Sequence, residues 1–377
     1  MNIIERYVER MMTESTPEEP LWNIEKIKAG SANGWNYIDG CMMIALLNMN
    51  RITGEERYYE FAEHFLDHYV FEDGSIRGFK EEDYNLDNIC EGRVLFDVYK
   101  KSGKEKYRKA IDTLYGQILR QPRTPEGNFW HKAIYPNQVW LDGLYMVQPF
   151  YMEYEMKFGG MEKLADITNH FKNARKYLWD AEKGLNYHAF DEKKQMFWAD
   201  KETGHSANFW LRSNGWYLMA LADTIGLCSE MMYEHYRALV DIFSESIMGI
   251  LRYQAADGLF YQVIDHPETE GNYTETSGSA MVAYALLKGV RLGILDPEKY
   301  LPVGKRVFEA LVNTKMKEED DCVTRLTDIC WVAGLGPEKS PQRDGSVAYY
   351  LSEPKKSDDA KGVGPFIMAY SEYLQAQ

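Results

Sequence analysis

Two aspartates, two histidines and one arginine are the side chains best placed by type and spacing to do chemistry. Asp87 lies in Leu86-Asp87-Asn88-Ile89-Cys90-Glu91-Gly92-Arg93, and Asp142 in Trp140-Leu141-Asp142-Gly143-Leu144-Tyr145. Each stands where an apolar helical segment begins. An acidic residue there can cap the helix and suits its dipole. Asp87 and Asp142 also recur at the equivalent place in adjacent repeats, which brings both to one mouth of the fold. Neighbouring carboxyls push their pKa values apart, and burial beside tryptophan raises one further. A carboxyl raised in this way can act as a general acid at neutral pH.

His131 and His188 hold matching places in Gly127-Asn128-Phe129-Trp130-His131 and Gly184-Leu185-Asn186-Tyr187-His188. Each reads either as a hydrogen-bonding framework residue or as an imidazole of the site. Arg212 sits in Phe209-Trp210-Leu211-Arg212-Ser213-Asn214-Gly215-Trp216. A structural ion pair and a fork for a ligand carboxylate are both open to it. Trp210 and Trp216 fit a core or a face on which a sugar ring stacks. Trp35, Tyr37 and Asp39 precede Gly40 at a further helix start.

The remaining chemistry is narrowed by what is missing. There is no His-Glu-x-x-His or comparable ligand cluster, and none of the five cysteines (41, 90, 228, 322 and 330) forms a Cys-x-x-Cys pair, so neither a metal nor a cofactor is expected. Gly-x-Ser-x-Gly, the P-loop and Gly-x-Gly-x-x-Gly are absent. A formal charge of −15 argues against nucleic acid or anionic lipid as partner. No apolar run approaches the ~20 residues of a spanning helix. Charges at Glu5 and Arg6 fall where a signal peptide has its apolar core, so a cytoplasmic location is expected.

The elements that must position these residues follow from a repeat. Thr53-Gly54-Glu55-Glu56-Arg57-Tyr58, Ser102-Gly103-Lys104-Glu105-Lys106-Tyr107, Gly159-Gly160-Met161-Glu162-Lys163-Leu164 and Leu295-Asp296-Pro297-Glu298-Lys299-Tyr300 are variants of one phrase. Each pairs a breaker or cap with a charged first turn. Apolar segments precede it at 39–50, 87–100, 141–157 and 277–293, and amphipathic ones follow at 55–70, 104–119, 161–178 and 297–313. Segments 214–228 with 230–253, and 361–375 with the N-terminal 2–13, complete six hairpins. A helix apolar around its circumference is buried and one with a charged face lies outside. The expected fold is therefore all-α: one domain over 1–377, a six-hairpin (α/α)6 toroid. Long loops at 71–86, 120–140, 180–213, 254–276 and 314–360 carry short strands. All precede inner helices, so the site is expected at that end.

The chain resembles the unsaturated glucuronyl and rhamnogalacturonyl hydrolases, family 105 of the glycoside hydrolases. The resemblance rests on Trp140-Leu141-Asp142-Gly143, the 209–216 phrase, Glu275-Thr276-Ser277-Gly278-Ser279-Ala280, Asp344-Gly345-Ser346 and Lys361-Gly362-Val363-Gly364-Pro365-Phe366. It implies an (α/α)6 barrel and an enzyme that hydrates the C4=C5 double bond of an unsaturated uronic acid. The implied substrate is a rhamnogalacturonan lyase product carrying that sugar at its non-reducing end. Asp142 is implied as general acid and base and Asp87 as its partner, gripping a hydroxyl and keeping Asp142 high in pKa. His131 and His188 are implied to line the pocket. Arg212 and Lys132 are implied to meet the uronate, and Tyr37, Trp210 and Trp216 to shape the sugar subsite. The alternatives are an unsaturated glucuronyl hydrolase on ulvan or glycosaminoglycan fragments, an ordinary inverting glycosidase using Asp87 and Asp142, and a carbohydrate-binding toroid. A monomer is expected from a ring that closes on itself.

Overall fold

The computed structural model describes residues 2–229, 232–318 and 323–377. Cys322 and the first two positions of the expected 230–253 helix lie outside the described residues. Helices dominate in chain order: α1 Ile3–Thr13, α2 Ile24–Ala29, α3 Tyr37–Thr53, α4 Glu56–Tyr69, α5 Asp87–Cys90, α6 Arg93–Ser102, α7 Glu105–Arg120, α8 Leu141–Tyr154, α9 Leu164–Leu178, α10 Leu211–Ile225, α11 Tyr233–Ile250, α12 Thr276–Arg291, α13 Pro297–Lys315, α14 Val347–Ser352 and α15 Ala360–Gln375. Helices α3, α5 with α6, α8, α10, α12 and α15 pack side by side, and α15 returns to α3. That closes an inner ring of six. Helices α4, α7, α9, α11 and α13 pack outside it. The N-terminal α1 joins them, with Asn2 Nδ2 donating to Tyr370 Oη of α15 at 2.7 Å.

Local sequence explains the division. Every residue of α10 from Leu211 to Ile225 is buried, and α8 and α12 are buried around nearly all of their circumference. The outer helices bury one stripe, as Tyr58, Tyr59, Ala62, Phe65, Leu66 and Tyr69 do in α4. The second inner element departs from the expected continuous 87–100 helix. It breaks at Glu91-Gly92, between α5 and α6. The break leaves the Glu91 carboxylate to accept from the Asn36 backbone N–H at 2.9 Å, which fixes the entry to α3.

The connections into the inner helices carry the strands β1 Gln138–Trp140, β2 Trp179–Asp180, β3 Leu185–Asn186, β4 Ala189–Asp191, β5 Met316–Glu318, β6 Thr324–Leu326, β7 Ile329–Cys330 and β8 Lys355–Lys356. They form four antiparallel pairs, β1 with β4, β2 with β3, β5 with β6 and β7 with β8. The repeated glycine phrase is the turn of three such loops. Gly127, Gly184 and Gly258 have φ of 95°, 67° and 88°, a conformation that costs a side-chain-bearing residue energy and glycine none.

The stretch 14–36 wraps over the start of α3 and is held there by Asp39. Its carboxylate accepts from Trp22 Nε1 at 2.8 Å, Asn33 Nδ2 at 2.7 Å and Asn36 Nδ2 at 2.9 Å. Burial nevertheless pushes the Asp39 pKa up to about 6, against the pull of those hydrogen bonds. A carboxyl raised above its unfolded value contributes stability that is complete below about pH 4 and lost as pH rises through about 6. A shift of about two units is worth about 3 kcal/mol. Asp39→Asn removes this titration, so the variant should lose less stability than the wild type between pH 4.5 and 7.5. Urea denaturation across that range measures it, and parallel pH profiles for the two proteins would refute the assignment.

Candidate active site

Strand pairing brings the two candidate acid–histidine pairs together. In β1–β4, Trp140 is in register with Ala189, and the Leu141 N–H donates to the His188 carbonyl at 3.2 Å. That places His188 beside the first turn of α8, where Asp142 stands. His188 Nε2 lies 3.3 Å from Asp142 Oδ2, and its Nδ1 pairs with Tyr350 Oη at 2.8 Å. With Tyr350 O–H donating to Nδ1, the Nε2–H is left for Asp142. The contact has ion-pair distance but lacks hydrogen-bond geometry, and neither atom has a hydrogen-bond partner among the described residues.

His131 is clamped through its backbone. Its N–H donates to the Gln138 carbonyl at 2.9 Å, and its carbonyl accepts from Leu86 N–H at 3.2 Å, directly before Asp87. The ring stacks on Trp140 with centroids 4.7 Å apart, while His188 meets Trp140 edge-on at 5.3 Å. His131 Nε2 is 3.6 Å from Asp87 Oδ1, and Lys132 Nζ donates to Asp87 Oδ2 at 2.5 Å. A β-carbon added at Gly143 would stand 3.0 Å from His131 Nδ1, so this position of the Trp-Leu-Asp-Gly phrase leaves room for the imidazole.

These residues share a cavity of about 180 Å³ at the N-terminal ends of the inner helices, the end to which the long loops lead. Tyr37, Asp87, His131, Lys132, Asp142, Trp210, Arg212 and Trp216 all line it. His188 stands behind Asp142 and is not among the lining residues. Sequence reasoning left out Glu25, Tyr135, Met146, Val332, Ala333, Gly334 and Arg343, which line it as well. Glu25 comes from the short helix α2 and Val332–Gly334 from an irregular segment, and no sequence periodicity marks either. Lys361, which opens α15, lines the cavity and pairs with Glu25 at 2.5 Å and Asp359 at 3.1 Å. A further histidine, His205, is not among the lining residues and stacks on Tyr187 with centroids 4.5 Å apart.

One sequence expectation needs correction, and two open readings gain structural detail. The first concerns Asp142. Burial pushes its pKa up, as expected, but the His188 imidazole 3.3 Å away, then the charge of His131, outweigh it and hold the carboxyl below its ordinary value. The sequence shows the tryptophan beside Asp142 and not the imidazole folded against it. His131 itself is pushed down to about 4, chiefly by burial, and is neutral at pH 7. The second concerns Trp210 and Trp216, read either as core or as stacking surfaces. One face of each is already occupied: Trp210 stacks on Tyr350 at 5.9 Å and Trp216 on Tyr145 at 4.6 Å. They wall the cavity as parts of the core.

The third concerns Arg212, only 2% exposed, whose two readings coexist. Its Nε donates to Ser277 Oγ at 2.8 Å, Nη1 to the Trp331 carbonyl at 3.3 Å, and Nη2 to the Cys330 carbonyl. Glu275, which caps α12 through the Ser277 and Gly278 N–H groups, lies 3.8 Å from Nη2. Three of the five guanidinium N–H groups are thus spent on the framework, and two remain for a ligand. Among the described residues no group of three or more His, Cys, Asp or Glu could hold a metal ion, and no helix is long and apolar enough to cross a membrane.

The model of Glycosyl Hydrolase Family 88 matches residues 3–377. A family 105 glycoside hydrolase from C. acetobutylicum superposes with a TM-score of 0.88 at 42% identity, covering 98% of this chain and 99% of that one. Protein Atu3128 of Agrobacterium fabrum is 41% identical over 60% of this chain and 97% of its own length. The unsaturated rhamnogalacturonyl hydrolase YesR of Bacillus subtilis is 24% identical over 84% of each chain. The unsaturated glucuronyl hydrolase of Bacillus sp. GL1 shares the fold, with a TM-score of 0.63 at 16% identity.

Proposed function

Because this chain belongs to the family 88/105 glycoside hydrolases, we propose that it removes a 4,5-unsaturated galacturonyl residue from the non-reducing end of rhamnogalacturonan lyase products. The observation that carries the reading is the inequality of the two carboxylates. Asp87 is held by Lys132 at 2.5 Å. Asp142 has the loose His188 contact at 3.3 Å and opens on the cavity. One exchangeable carboxyl suits hydration of a vinyl ether, in which a single acid–base group serves both proton transfers. An inverting glycosidase needs two independent carboxyls.

In this mechanism Asp142 protonates C4 of the unsaturated ring. Water adds at C5 and returns its proton to Asp142. The resulting hemiketal opens, the glycosidic bond breaks, and the aglycone leaves with its hydroxyl. His188, steadied by Tyr350, fixes Asp142, and neutral His131 lines the cavity beside Asp87. Asp87 with Lys132 holds a sugar hydroxyl. The two unspent N–H groups of Arg212 meet the uronate carboxylate, an interaction strengthened by the buried setting. Tyr37, Trp210 and Trp216 set the shape of the subsite.

The test follows the ultraviolet absorbance of the double bond. Unsaturated galacturonyl-rhamnose should lose absorbance and release rhamnose, while its saturated counterpart should stay intact. Hydrolysis of the saturated sugar would replace this reading with an ordinary glycosidase.

A further inference from the structure

His131 turns Nε2 toward Asp87, 3.6 Å from Oδ1. Its other ring nitrogen, Nδ1, is buried and has no hydrogen-bond partner among the described residues. Burial holds the pKa of this ring at about 4, so at pH 7 it carries one N–H and one lone pair. The Asp87 carboxylate facing Nε2 can only accept. The N–H therefore belongs on Nε2, and Nδ1 needs a donor.

His131 stands between the active-site cavity and a second, smaller one of about 10 Å³, the room of a single water. Gly143, Leu144, Val147 and Gln148, three and four apart on α8, form one wall of it. Gln148 is fully buried, and both the nitrogen and the oxygen of its amide lack partners among the described residues. Leucine or methionine would fill that place without burying an unpaired amide. His170 of α9 also lines the cavity, and its Nε2 is unpaired, with Asp166 Oδ1 3.9 Å away. Burial holds the His170 pKa at about 3, so this ring is neutral too. The other polar side chains of the wall are engaged. Asn128 donates to the His170 carbonyl at 3.1 Å and accepts from Asn173 at 2.7 Å, and Trp140 Nε1 donates to Gln138 Oε1 at 3.0 Å. Gln148 and His170 are left as the side-chain donors around the cavity, and neither reaches His131 directly.

We infer that the small cavity is the site of one ordered water that donates to His131 Nδ1 and is held by the Gln148 amide and His170 Nε2, which makes Gln148 and His170 positioning residues for the active site. Four unmet polar atoms on three side chains around a water-sized space are what such a bridge satisfies. The water locks the tautomer of His131 with Nε2–H toward Asp87. With the tautomer reversed, the Nε2 lone pair would face the carboxylate and repel it. Asp87 would then hold Lys132 and the sugar hydroxyl less exactly. That last consequence rests on the unsaturated-uronide reading given above; the water and the tautomer do not.

A high-resolution crystal structure of the protein should show one water about 2.7–3.2 Å from both His131 Nδ1 and a Gln148 amide atom. A dry cavity, or a direct bond between Gln148 and His131, would overturn the site. Nitrogen NMR of histidine-labelled protein, with His131→Asn to assign the signals, should show the Nε2–H tautomer at pH 7. The Nδ1–H tautomer in the wild type would overturn the lock. Gln148→Met, which fills the place but offers no amide, should give a mixture of tautomers. On unsaturated galacturonyl-rhamnose it should lose about tenfold in kcat/KM, mostly through KM, because Asp87 grips a hydroxyl of the bound substrate. A loss of rate without a change of tautomer, or a change of tautomer without a loss of rate, would overturn the positioning role. Should the variant fail to fold, diffraction and spectra of the wild type still decide the water and the tautomer. No turnover by the wild type would overturn the reaction and leave those two results standing.

Discussion

Asp142→Asn should lower kcat by about a thousandfold, within the range found when a general acid is removed, with KM changed by no more than a few-fold. The amide matches the carboxylate in size, so the cavity keeps its shape, but it can neither give a proton to C4 nor take one from water. Circular dichroism and a thermal melt should match the wild type closely. A folded Asp142→Asn variant with more than a tenth of wild-type kcat would remove Asp142 from the proton path.

The pH profile tests the same residue independently. Hydration needs the protonated acid, yet His188 and His131 hold Asp142 below its ordinary value against the upward push of burial. Above that pKa the protonated fraction falls tenfold for each pH unit. The expected kcat/KM therefore declines as pH rises through neutrality and increases toward acid, until Asp142 is mostly protonated or the protein unfolds. His188→Ala removes the imidazole that lowers the carboxyl. The alkaline limb should then move to higher pH even as the absolute rate falls from the loss of positioning. A merely structural role for His188 would lower the rate without moving the limb.

The barrel was legible because its signal is periodic and repeated. Apolar circumference in 214–228 and 277–293, against one-sided stripes in 55–70 and 104–119, separates inner from outer helices before any contact is known. The common end of the loops follows from their order, and most residues of the cavity were reached because they stand at helix starts. What periodicity does not describe stayed hidden. Residues 14–36, which supply Glu25, carry only the short helix α2 and are held by side-chain contacts such as Trp22 and Asn33 on Asp39, and the Val332–Gly334 wall is irregular. The direction of the Asp142 shift depends on a pairing across β1 and β4 that joins residues 46 positions apart. Occupied ring faces at Trp210 and Trp216 are likewise facts of packing, since Tyr350 and Tyr145 are remote in sequence.

At the opposite mouth, where the inner helices end, Asp223→Ala should be the most damaging single change to stability, at about 3–5 kcal/mol. Asp223 is buried at the end of α10. Its carboxylate accepts from Tyr284 Oη at 2.6 Å, Lys288 Nζ at 2.7 Å and Arg93 Nη2 at 2.5 Å. One side chain thus ties α10 to α12 and α6. Burial alone would raise its pKa, but the charges of Lys288 and Arg93 hold it far below the carboxylate range. Neither cation can simply turn to water, since their side chains are only 14% and 11% exposed. Truncation strands both positive charges beside a cavity of about 350 Å³ whose other cations, Arg51, Lys157 and Arg291, are already paired with Asp97, Glu153 and Glu372. The dipoles of the helix C-termini offset part of that charge. Asp223→Asn keeps the shape and one acceptor, so it should cost less. Replacing Lys288 by Met in the Asp223→Ala background should restore part of the loss, because it removes one of the two orphaned charges. Urea denaturation of the three variants separates these terms. A loss below about 1 kcal/mol for Asp223→Ala would mean that water in the cavity solvates the cations as well as the carboxylate does. Partial recovery on removing Lys288 would show that the cost lies in stranded charge rather than in lost packing.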